Sequence, residues 1–124
     1  MLKNSLYIIQ KITEENNSVE AIVELNAKHE IFKGHFPGQP VLPGVCMMQM
    51  VREILESFLQ QLLQLLKADD IRFLAMVDPT VTKELRFLIQ YNFNEAKLIN
   101  MNAKISRQDD VVCCKMKATY KLLP

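Results

Sequence analysis

The sequence contains no tryptophan and few of the residues that interrupt regular structure. Its 124 residues include only three glycines and five prolines. All three glycines and three of the prolines fall in one segment, GHFPGQPVLPG, at residues 34–44. Long stretches elsewhere are therefore free to form helix or strand, and Asn26–Pro43 is predicted to be irregular.

An excess of either charge is also missing. Fifteen basic and 14 acidic residues give a net charge of +1, which provides no electrostatic case for binding nucleic acid or an anionic membrane. The longest apolar stretch, ILESFLQQLLQLLK, is too short and too polar to span a bilayer. The first residues, MLKNSLYIIQ, lack a signal-peptide pattern, so we expect a cytoplasmic protein.

Cysteine is scarce as well. Cys46 and the adjacent Cys113 and Cys114 form neither a disulfide framework nor a metal-ligand spacing. We therefore expect reduced thiols.

The chain is predicted to form a single α+β domain spanning residues 1–124. Apolar residues recur at helical spacing over 45–67, which predicts one long helix that Asp69 and Asp70 end. SVEAIVEL at residues 18–25 alternates apolar and polar residues, as a half-buried strand does. The other predicted strands are residues 6–12, 71–77, 81–91, 97–106 and 111–122, so the simplest architecture is a curved antiparallel sheet around the helix.

The glycine- and proline-rich segment is a candidate site. Pro37–Gly38 and Pro43–Gly44 are turn dipeptides, and the first turn of the following helix has unpaired N–H donors. A histidine on so stiff a loop, His35, is suited to proton transfer near neutral pH. A lone histidine more often caps a turn, but the surrounding glycines and prolines favour the functional interpretation here. His29 lacks such surroundings and is expected to be a surface or loop residue.

FKGHFPGQPVLPGVCMMQM resembles the (3R)-hydroxyacyl-acyl-carrier-protein dehydratases of fatty-acid synthesis, whose pattern is G-H-F-P-G-x-P-x-x-P-G-V followed by a helix. Outside this loop the likeness is one of element order and length. RFLAMVDPTV departs from a later family segment because it lacks the glycine of a proline-glycine turn.

The resemblance implies a hot-dog fold, in which two subunits form one continuous sheet and the active sites lie at the dimer interface. It implies that water is eliminated from a 3-hydroxyacyl thioester on acyl carrier protein to give a trans-2-enoyl thioester, without a metal or organic cofactor. His35 would remove the α-proton, and N–H groups near Gly44 and Val45 would polarise the carbonyl. Substrate-contacting residues would include Phe36, Gly38, Val41, Leu42, Gly44, Val45 and Met48. A set of apolar residues either lines the thioester tunnel or packs the core: Phe32, Phe36, Val41, Leu42, Met47 and Met48.

The family's second catalytic residue is an acid fourteen positions after the histidine, and here that position holds Gln49. An amide cannot exchange a proton near neutral pH, although it can hold a hydroxyl or water by hydrogen bonds. Glu53, one helical turn further on, is expected to be a solvated group or one ion-paired beside Arg52 rather than a replacement acid. Cys46, in the first helical turn, is expected to be a packing residue rather than a nucleophile.

Three functions remain open. The chain is a dehydratase, slowed by Gln49; or it is a non-catalytic or half-catalytic subunit that binds acyl thioesters or pairs with an acid-bearing paralogue; or it is a hot-dog thioesterase. We expect a homodimer or such a heterodimer, with higher assemblies of dimers left open. Docking of an acidic carrier protein would use basic residues near the tunnel, with Lys28, Lys33, Lys83 and Arg86 as candidates.

Overall fold

The computed structural model describes residues 1–33 and 38–124. Within them, six strands form one antiparallel sheet and one α-helix packs against it, which confirms the expected α+β class. In chain order the elements are β1 (Tyr7–Glu15), β2 (Ser18–Leu25), α1 (Gly44–Leu59), β3 (Leu63–Phe73), β4 (Glu84–Phe93), β5 (Ile99–Arg107) and β6 (Val112–Leu122). The order across the sheet is β1-β2-β4-β5-β6-β3, so β1 and β3 are its edges.

The core lies between the helix and one face of the sheet. Alternation along β2, β4, β5 and β6 places an apolar row on this face, because successive strand side chains point to opposite faces. Full burial of one such side chain contributes roughly 1.5–3 kcal/mol. The fully buried helix residues that meet this face are Met50, Val51, Ile54 and Leu55.

The predicted extension of the helix to Lys67 is wrong. The helix ends at Leu59, where Gln60 adopts a left-handed conformation with φ of 57°. The Glu56 carboxylate then accepts the N–H of Leu63 at 2.8 Å and joins the helix end to the start of β3. The apolar run LLQLL is predicted to be helix, but from Leu63 onward the chain forms β3, which pairs with β6 from Leu63↔Leu122 to Phe73↔Cys114.

This early end of the helix also moves the next strand. The predicted strand at 71–77 overlaps only the last three residues of β3, 71–73. The predicted strand at 18–25 coincides with β2, and the remaining four predictions lie within three residues of β1, β4, β5 and β6 at each end. Within the described residues, no helix is long and apolar enough to cross a membrane.

Candidate functional site

The helix start is held against the sheet by a short extended segment. The N–H of Leu42 donates to the carbonyl of Val77 at 2.9 Å, which fixes the chain just before Pro43 and the first helical turn. Val41 and Leu42 are both buried, so this segment also contributes to the core. The helix begins at Gly44, one residue before the predicted start at residue 45.

The first helical turn presents two N–H groups. The N–H groups of Cys46 and Met47 both donate hydrogen bonds to the carbonyl of Pro43. Among residues 1–33 and 38–124, the N–H groups of Gly44 and Val45 donate no hydrogen bond. Such donors carry the partial positive charge of a helix N-terminus and suit a ligand oxygen.

Gly44 lies directly against an aromatic ring. A Cβ atom on Gly44 would lie 2.6 Å from Cζ of Phe73, a separation that real Cβ atoms do not show. Space does not restrict Gly38, because a Cβ there would meet no atom within 4 Å. Its φ of 85° is the restriction, since a residue with a side chain would be strained in that conformation. The two glycines of the loop that the structure describes thus have separate reasons to be glycine.

Gln49 is half-buried on the helix and bonded along it. Its Nε2 donates to Oε2 of Glu53, one turn further on, at 2.7 Å. Gln49, at the family's acid position, is therefore hydrogen-bonded to Glu53, a carboxylate to which the sequence analysis assigned no function.

Glu53 is the unexpected residue of this region. It is fully buried, and its carboxylate accepts four hydrogen bonds. Besides Gln49, the donors are the N–H of Leu2 at 2.9 Å, the N–H of Lys3 at 2.8 Å and the Tyr7 hydroxyl at 3.0 Å. The expectation that Glu53 is solvated or ion-paired beside Arg52 is wrong, because these donors come from the start of the chain and exclude solvent.

The hydrogen bonds decide the charge of Glu53. Burial by itself would raise the pKa of its carboxyl, but the four donors outweigh burial and hold the pKa below the ordinary value of 4.5. Burial, and then the adjacent Glu53 charge, raises the pKa of Tyr7, which stays a neutral donor. The pair is therefore a carboxylate and a phenol at neutral pH.

Cys46 is a packing residue, as expected. It is buried in the first helical turn, and burial raises the pKa of its thiol. A helix N-terminus favours a thiolate, but here burial has the larger effect.

The predicted substrate-contacting residues have different environments. Val45 is exposed and Met48 half-buried, both on the first turns of α1, whereas Val41 and Leu42 are core residues. Phe32 and Met47, from the tunnel-or-core set, are buried as well. His35 and Phe36 lie outside the described residues, so their predicted roles stay predictions.

Two further expectations concern His29 and the basic residues proposed for docking. His29 caps a short 3₁₀ turn at Glu30–Phe32, with its Nδ1 accepting the N–H of Ile31 at 3.1 Å. Arg86 lies 3.8 Å from Asp110, and both side chains are largely exposed. Lys28 and Lys33 border one cavity beside Gly38, and Lys83 borders another beside Pro79. Their proposed docking role stays a prediction.

Comparison with known proteins gives a consistent family. A family model described as ApeI-like, ApeI dehydratase, matches residues 11–117. The 3-hydroxyacyl-acyl-carrier-protein dehydratase FabZ of Novosphingobium aromaticivorans is 23% identical over 107 residues, 79% of this chain. The match spans 66% of that relative's length, just under two thirds.

Solved structures share the fold. The dehydratase heterocomplex ApeI:P from Xenorhabdus doucetiae superposes with a TM-score of 0.67 at 20% identity, covering 92% of this chain and 96% of that one. A hypothetical thioesterase with coenzyme A from Streptococcus pneumoniae gives 0.67 at 14% identity, covering 94% and 85%. Likenesses this distant show the hot-dog fold alone, since one fold hosts many functions.

Proposed function

This chain belongs to the ApeI-like dehydratase family, and from that premise we propose that it eliminates water from a (3R)-3-hydroxyacyl thioester to give a trans-2-enoyl thioester. The observation that carries the proposal is the family match over residues 11–117 together with the motif HFPGQPVLPG inside it. The open N–H groups at the start of α1 support it, because this chemistry needs donors for a carbonyl oxygen.

In the proposed reaction His35 takes the α-proton of the thioester. As that C–H bond breaks, negative charge develops on the thioester carbonyl oxygen, which the N–H groups of Gly44 and Val45 bind. The electron pair then forms the double bond between the α and β carbons, and the bond from the β carbon to the hydroxyl oxygen breaks.

The leaving hydroxyl needs a proton, and Gln49 cannot supply one. We assign this step to the imidazolium of His35, which returns the proton that it took, so that water leaves and the base is regenerated. Gln49 holds the hydroxyl in place. A positioned acid contributes about 10²–10⁴-fold to such a step, so the reaction is slower by that factor than with a carboxylic acid at position 49.

The carrier of the substrate is proposed to be acyl carrier protein, and the active assembly a dimer that joins two sheets edge to edge. Edge strand β3 is the better candidate for this contact. It exposes Leu65, Leu66 and Phe73, and Leu74 and Met76 follow with more than half of each side chain accessible. An edge strand with exposed apolar side chains and unpaired backbone groups is suited to pairing with a second chain.

A second candidate function is a subunit of a heterodimer in which an acid-bearing paralogue completes the site with His35. Glu53 favours it, because the carboxylate next to Gln49 already accepts four hydrogen bonds and is not free to protonate a substrate. No comparable observation favours the thioesterase.

The deciding experiment is dehydration of a 3-hydroxyacyl-carrier-protein substrate, followed by mass spectrometry, with wild type, His35→Ala and Gln49→Glu in parallel. Turnover by wild type that His35→Ala abolishes supports a dehydratase that needs no acid at position 49. An inert wild type with an active Gln49→Glu supports the heterodimer, because the chain then lacks only the acid that a paralogue would supply. The new carboxyl can act as that acid, since two adjacent carboxyl groups, here with Glu53, keep one of the two protonated. Three inert proteins would contradict the proposed function for the chain on its own.

A further inference from the structure

Each oxygen of the Glu53 carboxylate accepts two hydrogen bonds. Oε1 accepts the N–H of Lys3 and the hydroxyl of Tyr7, and Oε2 accepts the N–H of Leu2 and the amide of Gln49. Within the described residues, no cation lies within ion-pair distance of it. A buried charge requires such compensation, and the four donors together provide it.

This arrangement settles which end of the Gln49 amide faces Glu53. An ionised carboxylate only accepts hydrogen bonds, so the amide has to turn its nitrogen towards it. The amide is planar, and its oxygen consequently points away from Glu53. In the described residues, no donor is bonded to this oxygen.

We infer that Glu53 is a positioning residue: it holds the nitrogen of Gln49 inward, so that the amide oxygen faces the thioester site and accepts a hydrogen bond from the substrate's 3-hydroxyl. The inference rests on the proposed function and adds a specificity to it. A hydroxyl is bound as a donor, which leaves an oxygen lone pair free to receive the departing proton. A 3-oxo group has no proton to donate and meets the Gln49 oxygen as one acceptor against another.

A site that hydrogen-bonds a substrate hydroxyl generally rejects the analogue that lacks the hydroxyl proton. The reason is that the acceptor in the site, here the Gln49 oxygen, is left without a hydrogen bond. One hydrogen bond changes affinity by about tenfold. We therefore expect the chain to prefer a 3-hydroxyacyl ligand to its 3-oxoacyl counterpart by about that factor.

Binding tests the inference without requiring turnover. The probes are 3-hydroxyoctanoyl- and 3-oxooctanoyl-pantetheine amides, measured by isothermal titration calorimetry. Wild type should prefer the hydroxy ligand by about tenfold. In Glu53→Gln the two facing amides can pair with Gln49 turned over, which brings its nitrogen outward, and the preference should vanish or reverse.

Tyr7→Phe is the matched control. It removes one hydrogen bond from the same carboxylate and leaves the bond to Gln49 intact, so the hydroxy preference should persist. Loss of the preference in Tyr7→Phe to the same extent as in Glu53→Gln would overturn the inference. If Glu53→Gln does not fold, Gln49→Met serves instead, since it removes the amide oxygen at similar size and should also abolish the preference.

A second readout separates this inference from the proposed function. In a nitrogen-15 NMR spectrum, the side-chain amide protons of Gln49 should exchange with solvent more slowly than those of exposed Gln90. Rapid exchange of the Gln49 protons in wild type, or equal binding of the two ligands, would overturn the inference. Slow exchange with no binding of either ligand would contradict the proposed function and support the orientation of the amide.

Discussion

Gly44 and Phe73 touch so closely that the ring of Phe73 occupies the space of a Gly44 side chain. A Cβ on Gly44 would meet three ring carbons at 2.6, 2.8 and 3.0 Å. This contact joins the start of α1 to Phe73, the last residue of edge strand β3. It links the first-turn N–H groups of the candidate site to the edge proposed for the dimer.

The effect of Gly44→Ala should depend on this ring. Alanine is the better helix former, by at most about 0.5–1 kcal/mol at this first helical position, but its methyl group has to displace Phe73, which is half exposed and can swing outward. We expect the free energy of unfolding to change by less than about 1 kcal/mol in the natural background.

In a Phe73→Ala background the ring is gone, and Gly44→Ala should stabilise the protein by up to about 0.5–1 kcal/mol. Urea unfolding of the four proteins of this double-mutant cycle measures both values. Identical effects of Gly44→Ala in the two backgrounds would show that the ring does not restrict position 44.

Acid should destabilise the protein through Glu53. The folded state holds the pKa of this carboxyl below its ordinary value of 4.5, so its stabilising contribution is complete above that pH. The contribution is lost as the pH falls through the lower, folded-state pKa. The free energy of unfolding of wild type should therefore fall below about pH 4.5 more steeply than that of Glu53→Gln.

Urea unfolding between pH 7 and pH 3 measures this difference. Glu20→Gln, on the exposed face of β2, removes one negative charge without touching the buried network. Its pH profile should follow that of wild type. If Glu53→Gln also follows the wild-type profile, the buried carboxylate does not contribute to acid sensitivity.

The fold could be predicted wherever one strand face is polar. The alternation of β2 defined its bounds, because burial of one face forces a period of two. The segment Leu62–Leu66 has no such alternation and fits a helix or a strand equally well. Its state depends on pairing with β6 and on the Glu56 carboxylate at Leu63, neither of which has a local pattern.

Only part of the candidate site could be predicted from the sequence. Proline and glycine predicted the helix start, since their backbone preferences are local. The burial of Glu53 was not predictable, because its partners Leu2 and Lys3 are about fifty residues away in the sequence. A glutamate one turn after Gln49 was the available signal, as side chains at i and i+4 are neighbours on a helix.

The cysteines should be unreactive in the folded protein. Burial raises the pKa of each thiol, to about 11 for Cys113, so little thiolate exists near neutral pH. A chromogenic thiol reagent at pH 8 should react with the three cysteines only after unfolding in denaturant. Cys46→Ala should retain turnover within a few-fold of wild type, whereas a complete loss with an intact fold would assign the thiol a catalytic role.

Edge strand β3, rather than β1, should carry the dimer contact. Both edges have unpaired backbone groups and exposed apolar side chains, Ile8 and Ile12 on β1, but those of β3 are more numerous and continue into Leu74 and Met76. Leu66→Glu puts like charges from two copies into a two-fold contact and should dissociate the dimer. Ile12→Glu, a comparable change on β1 at a similarly exposed residue, should leave it intact. Light scattering after size exclusion measures both masses, and a dimeric Leu66→Glu with a monomeric Ile12→Glu would assign the contact to β1 instead.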